Sequence, residues 1–152
     1  MLRRTPCIGT CSTTYGDLVC RGCKRFAHEI VQWNGFDETQ RRTVWQRLLA
    51  LRAGAVSSVL RITDEPRLRD HARRLGLVAN EDLDAENLLY ELLQRLQWRD
   101  PDAGLDALGV VLAADAGLHL EPVPESLLSV IDGEFYRRSV AQYERNYRIP
   151  AE

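Results

Sequence analysis

The chain has 152 residues, 45% hydrophobic and 28% charged, with a net charge of −2. That balance excludes a disordered chain, which has too little apolar surface to fold, and the length suits one ordinary domain or a small module with a helical partner. No apolar run reaches the ~20 residues that span a bilayer, and Met1-Leu2-Arg3-Arg4-Thr5-Pro6-Cys7 has no apolar stretch behind its charge, so neither a membrane span nor a signal peptide is expected. The expected compartment is the cytoplasm, where thiols stay reduced. Charge is unevenly spread. Residues 1–62 carry ten Lys/Arg against four Asp/Glu, and residues 63–152 carry ten against eighteen, giving +6 and −8. A basic front admits nucleic-acid contact; it is equally a solvated face, or one that attracts the acidic half.

The cysteines are the informative feature. All four lie between positions 7 and 23, in the pattern Cys7-x3-Cys11-x8-Cys20-x2-Cys23. A disulfide framework spreads its cysteines to staple distant loops in a secreted chain. Four clustered thiolates instead surround one tetrahedral ion, with two loops giving two ligands each. Gly22, inside Cys20-Arg21-Gly22-Cys23, is expected to relieve backbone strain while amide N–H groups turn toward sulfur, and Pro6 and Gly9 to shape the first loop in the same way. Arg21, Lys24 and Arg25 offset the double negative charge of a divalent ion in four thiolates. The closed four-cysteine set favours zinc; two-iron and four-iron clusters use the same ligands, but the spacing matches neither ferredoxin run. His28 is a lesser candidate ligand, since four thiols already close the site.

Next in the chain, Lys24 to Trp33 reads as a helix with Phe26, Ile30 and Trp33 on one face, ended by Gly35. Asp37 with Gln40 three residues on reads as a capping box. The helix that follows places Val44, Trp45, Leu48, Leu49 and Ala55 on one side, and Arg41, Arg42, Arg47 and Arg52 largely on the other. Those four arginines are the candidate phosphate contacts.

The residues just described resemble a small bacterial family. Pro6-Cys7-Ile8-Gly9-Thr10-Cys11, then Cys20-Arg21-Gly22-Cys23-Lys24-Arg25-Phe26, then Glu29-Ile30 and Trp33, then Arg41-Arg42 and Leu48, are similar to domain-of-unknown-function family 1289, whose members are commonly labelled predicted Fe-S proteins. The resemblance covers about residues 5–52. It implies that Cys7, Cys11, Cys20 and Cys23 are the family's metal ligands, and it implies no reaction. It strengthens the iron–sulfur alternative to zinc.

The remaining 100 residues resemble nothing familiar. Ala53 to Glu65 reads as a linker or a continued helix. Pro66 starts a helix carrying Leu68, Ala72 and Leu75, stopped by Gly76. Asn80 or Asp84 caps the next, with Leu88, Leu89, Leu92, Leu93 and Leu96 on a broad apolar face broken near Pro101. Val110-Val111-Leu112 and Leu118-His119-Leu120 read either as a β-hairpin or as a buried helix and a turn. A last helix spans about Glu125 to Tyr147, and its Tyr136, Tyr143 and Tyr147 read as an amphipathic helix end or as nucleobase-stacking groups. His71 and His119 lie near no nucleophile pattern and read as ordinary surface or core residues.

The expected protein is mainly α: a four-cysteine metal module with two helices over 1–62, then a helical region over 63–152 with room for one β-hairpin. The expected function is non-enzymatic metal binding by an adaptor that engages another protein or a nucleic acid. The alternative is an iron–sulfur redox protein.

Overall fold

In the computed structural model, residues 5–9, 11–77, 83–114 and 120–147 are described. The fold is mainly α, with one small antiparallel sheet, as the sequence patterning implies. In chain order the elements are α1 (Ala27–Gln32), α2 (Glu38–Val59), β1 (Leu60–Ile62), α3 (Glu65–Arg74), α4 (Ala85–Arg99), β2 (Val110–Leu112) and α5 (Pro124–Tyr147). Short 3-10 turns cover Ser12–Tyr15, Trp33–Gly35 and Asp106–Leu108. Among the described residues, those within Arg52–Gly133 form one compact unit, and those within Leu2–Leu51 and Glu134–Glu152 form a second.

The helix starts follow local chemistry. The Asp37 carboxylate accepts the Gln40 N–H at 2.7 Å, and the Gln40 side chain accepts the Asp37 N–H at 2.8 Å, a reciprocal box that satisfies two otherwise orphaned donors of α2. Asp64 accepts the Arg67 N–H at 3.1 Å, and Pro66 sits in the first turn of α3, where its missing N–H costs nothing. Asp84 caps α4 by accepting the Asn87 N–H at 3.1 Å; Asn80, the other expected cap, lies outside the described residues. Gly54 does not end α2, which continues to Val59 and buries Ala55 and Val56 completely. A single glycine costs about 1 kcal/mol in a helix, less than the burial of the residues that follow it.

The unit within Arg52–Gly133 has a leucine core. Leu68 and Ala72 of α3, Leu88, Leu89, Leu92, Leu93 and Leu96 of α4, and Leu127 and Ile131 of α5 are all essentially inaccessible. Each such leucine or isoleucine contributes about 1.5–3 kcal/mol relative to exposure. Several polar groups inside this core are partnered, although Arg52 Nη2 has no hydrogen-bond partner among the described residues and only a 3.5 Å approach to the Glu91 carboxylate. Arg52 donates to Asn87 Oδ1 at 2.6 Å and stacks 4.4 Å over the Tyr90 ring, while the Tyr90 hydroxyl donates to Asp132 at 2.7 Å. Burial, and next the Asp132 carboxylate, hold the Tyr90 phenol above its usual range, so it stays neutral and donates.

The expected strand Val110–Leu112 is present, but its partner is β1, with Leu60 opposite Leu112 and Ile62 opposite Val110. Leu118 and His119 lie outside the described residues. Gly109 explains why β2 starts where it does. Its carbonyl accepts both the Thr63 and Asp64 N–H groups at 2.8 and 3.0 Å, its φ is +71°, and an added Cβ would stand 2.6 Å from the Asp64 carbonyl oxygen. Gly109→Ala therefore meets a left-handed backbone and a backbone clash together, and a loss of about 2 kcal/mol or more is expected. An unchanged urea midpoint in this variant would show that the loop moves aside freely.

Candidate metal centre

The cysteine module is built on a tight hairpin. Val19 bridges to Phe26, Cys20 N–H donates to the Arg25 carbonyl at 2.9 Å, and Lys24 N–H donates back to the Cys20 carbonyl at 2.9 Å. The left-handed residue of this turn is Lys24, φ +65°, rather than Gly22. A non-glycine residue there costs about 1–3 kcal/mol. Contacts of the buried Lys24 side chain offset it: Nζ donates to the Gly22 carbonyl at 2.9 Å and lies 5.1 Å from the Phe135 ring centre.

Cys20 and Cys23 are brought together by this turn, both buried. Burial raises the Cys20 thiol, but backbone N–H groups of Cys23, Ser12 and Gly22 all reach its sulfur and outweigh burial, bringing it down to about 7. Burial pushes the Cys23 thiol up, against the opposing help of Arg25, whose Nε donates to Cys23 Sγ at 3.3 Å. Arg25 is itself buried, 4.9 Å from the Trp33 ring centre. Among the described residues, its hydrogen-bond acceptor is that sulfur. A buried guanidinium facing sulfur is far better matched by a thiolate than by a thiol.

The first cysteine loop repeats the device. Gly9, φ +93°, turns its N–H onto Cys7 Sγ at 3.3 Å, the same i+2 relation by which Gly22 reaches Cys20. Cys7 is exposed, and Cys11 is half-buried with its sulfur 2.9 Å from the Thr13 hydroxyl. Two bonds tie this segment to the hairpin: Ser12 N–H reaches Cys20 Sγ, and the Ser12 hydroxyl accepts the Arg21 N–H at 2.8 Å. The structure thus pairs Cys20 with Cys23 and leaves Cys7 and Cys11 on the neighbouring loop. No group of three or more His, Cys, Asp or Glu able to hold a metal is found among the described residues. Four thiols are the donor chemistry of a soft tetrahedral ion, and the described residues bring two of them, Cys20 and Cys23, together. His28 packs its ring 5.0 Å from that of Tyr147.

A sequence motif of two cysteines flanking two residues also suggests thiol–disulfide exchange. Cys20, the lower-pKa sulfur of the pair, is only 1% exposed, so an incoming disulfide has no route to it.

The four candidate phosphate-binding arginines are mostly engaged within the fold. Arg47 forms a bidentate pair with buried Glu29, at 2.7 Å for one of its two bonds, and lies 4.0 Å from the Phe26 ring centre. Arg41 donates to the Trp33 and Asn34 carbonyls, and Arg52 is held by Asn87 and Glu91. Arg42 is the exposed one of the four. Sequence reasoning misses Glu29: it also accepts the Phe26 N–H at 2.8 Å, capping α1 while neutralising Arg47. Its position three residues past Phe26, where a helix start wants an acceptor, is the available signal.

The hairpin, its aimed N–H groups and its buried counter-charges define a small cysteine-rich module. Residues 5–52 match the family described as "Protein of unknown function (DUF1289)", about a third of the chain. No curated protein and no solved structure matches the chain. Among the described residues, no helix is long and apolar enough to cross a membrane.

Proposed function

We propose that this is a non-enzymatic metal-binding protein in which Cys7, Cys11, Cys20 and Cys23 hold one ion, zinc first, and that the module serves as an adaptor for another protein. The supporting observation is that both cysteine loops aim backbone N–H groups at sulfur, from Gly9 to Cys7 and from Gly22 and Cys23 to Cys20. Such donors stabilise thiolates, the form that ligates metal. The cations Arg25 and Lys24, buried beside the hairpin, suit a dianionic four-thiolate centre. The bound ion supplies cross-linking of two loops that share little apolar core. The reading carries a cytoplasmic setting, where the thiols stay reduced. Because Arg41, Arg47 and Arg52 are spent on internal contacts, the proposed partner is a protein rather than a nucleic acid.

Elemental analysis of anaerobically purified full-length protein tests the reading. One zinc per colourless chain is expected. Stoichiometric iron and sulfide with visible charge-transfer absorption would replace zinc with an iron–sulfur cluster and turn the function toward electron transfer. Absence of any stoichiometric metal would overturn the reading.

A further inference from the structure

The far end of α5 lies well outside residues 5–52, yet it covers the cysteine hairpin. The Arg21 guanidinium lies 5.0 Å from the Tyr136 ring centre, and Lys24 Nζ lies 5.1 Å from that of Phe135. The Phe26 ring meets Tyr143 at 5.2 Å and Tyr147 at 5.6 Å, both edge-on. His28 adds its contact with Tyr147, and the two tyrosines lie 5.2 Å apart. Phe135, Ser139, Tyr143 and Tyr147 recur every four residues, which places them along one side of the helix. Ser139, in the middle of this row, is fully buried, and its hydroxyl folds back to the Phe135 carbonyl at 2.9 Å. The helix therefore presents two aromatic groups with a small residue between them. Phe26 is 1% exposed and takes its cover from those tyrosines and from Arg47.

The same eight residues, Val19 to Phe26, carry two of the cysteines and four of the helix contacts. A hairpin this short is marginal alone, so the placement of Arg21, Lys24 and Phe26 depends on what holds the Cys20–Cys23 turn. Each aromatic or cation–ring contact stabilises only once its partner is positioned, and contributes little when that partner wanders.

We propose that the cysteine hairpin is a docking surface for an aromatic helix, filled in this chain by residues 135–147, and that metal held by the cysteines controls the docking. This rests on the metal reading given above. It names what the hairpin engages, the aromatic end of this chain's own last helix, through Phe135, Tyr136, Tyr143 and Tyr147. Coupling is reciprocal, so the docked helix must also raise the affinity for metal.

Hydrogen exchange on full-length protein, metal-loaded and chelator-treated, tests it. Residues 135–147 are expected to exchange on the order of tenfold faster, or more, when metal is removed, together with 19–33, while 85–99 keep their protection. The Tyr143→Ala/Tyr147→Ala double variant should surrender its metal to a competing chelator at several-fold lower concentration, and the Tyr143→Phe/Tyr147→Phe variant should behave as wild type. Metal-loaded protein whose 135–147 protection survives chelation would overturn the inference and leave the metal reading standing. Loss of protection across 85–99 as well would show one cooperative unit and overturn selective docking. A chain that binds no metal removes both.

Discussion

Cys23→Ser is expected to abolish stoichiometric metal retention and to loosen residues 19–33. The residue has two tasks. Its sulfur is one of the two buried candidate ligands, and it is the acceptor facing Arg25 at 3.3 Å. A serine hydroxyl neither ligates a soft ion well nor matches the buried guanidinium. A four-thiolate site contributes on the order of 10 kcal/mol to folding, comparable with the whole stability of a domain, so loss of metal should remove most of the module's order. Cys20→Ser should act likewise, since three backbone N–H groups would then converge on a poorer acceptor. Metal analysis and exchange protection read both effects. Full retention in both single variants would remove these residues from the ligand set. Retention in Cys7→Ser and Cys11→Ser, with loss in the other two, would reduce the site to the hairpin pair.

Glu29→Ala should produce the other large effect, about 3–5 kcal/mol in metal-loaded protein, because Arg47, only 16% exposed, stays largely covered after its buried partner is gone. Among the described residues, Arg47 Nε has no hydrogen-bond partner, so little else there is at hand to solvate the cation. The substitution also frees the Phe26 N–H, normally bonded to Glu29 at 2.8 Å. Glu29→Gln separates the two roles. It keeps an oxygen for the Phe26 N–H and loses the charge, so it should cost less than alanine. Denaturant midpoints measure both, and a loss below about 1 kcal/mol for alanine would mean that Arg47 finds water on its own.

Local signals are legible in the sequence wherever a few adjacent residues decide the outcome. Asp37 with Gln40, Asp64 with Pro66, and Asp84 before the leucines of α4 each close a bond within three residues, and each helix starts there. The cysteine loops are legible for the same reason, down to the N–H groups that reach sulfur. What escapes are contacts across long stretches of chain. Leu60–Ile62 reads as linker or continued helix because three residues carry too little pattern to announce a strand, and the residues they pair with lie some fifty positions on. Arg41, Arg47 and Arg52 read, with Arg42, as candidate phosphate contacts because periodicity reports a face, not what covers it. Glu29, Trp33 and Asn87 do the covering, and only the folded chain brings them there. Tyr143 and Tyr147 likewise read as a helix end, with Phe26 more than a hundred residues away.

The graded exposure of the four sulfurs bears on how an ion would come and go. Cys7 is open to solvent, Cys11 is partly covered, and Cys20 and Cys23 are sealed. For an ion held by all four, a competing thiol from solution reaches the outer sulfurs first. Release then proceeds by stepwise ligand exchange rather than by one-step dissociation, with the inner pair as the last hold. In the emptied protein the Cys20–Cys23 turn loosens, so recapture must re-form it around the incoming ion. Such a site trades its ion with small thiol carriers faster than four sealed sulfurs would, because the entry point is built into the first loop.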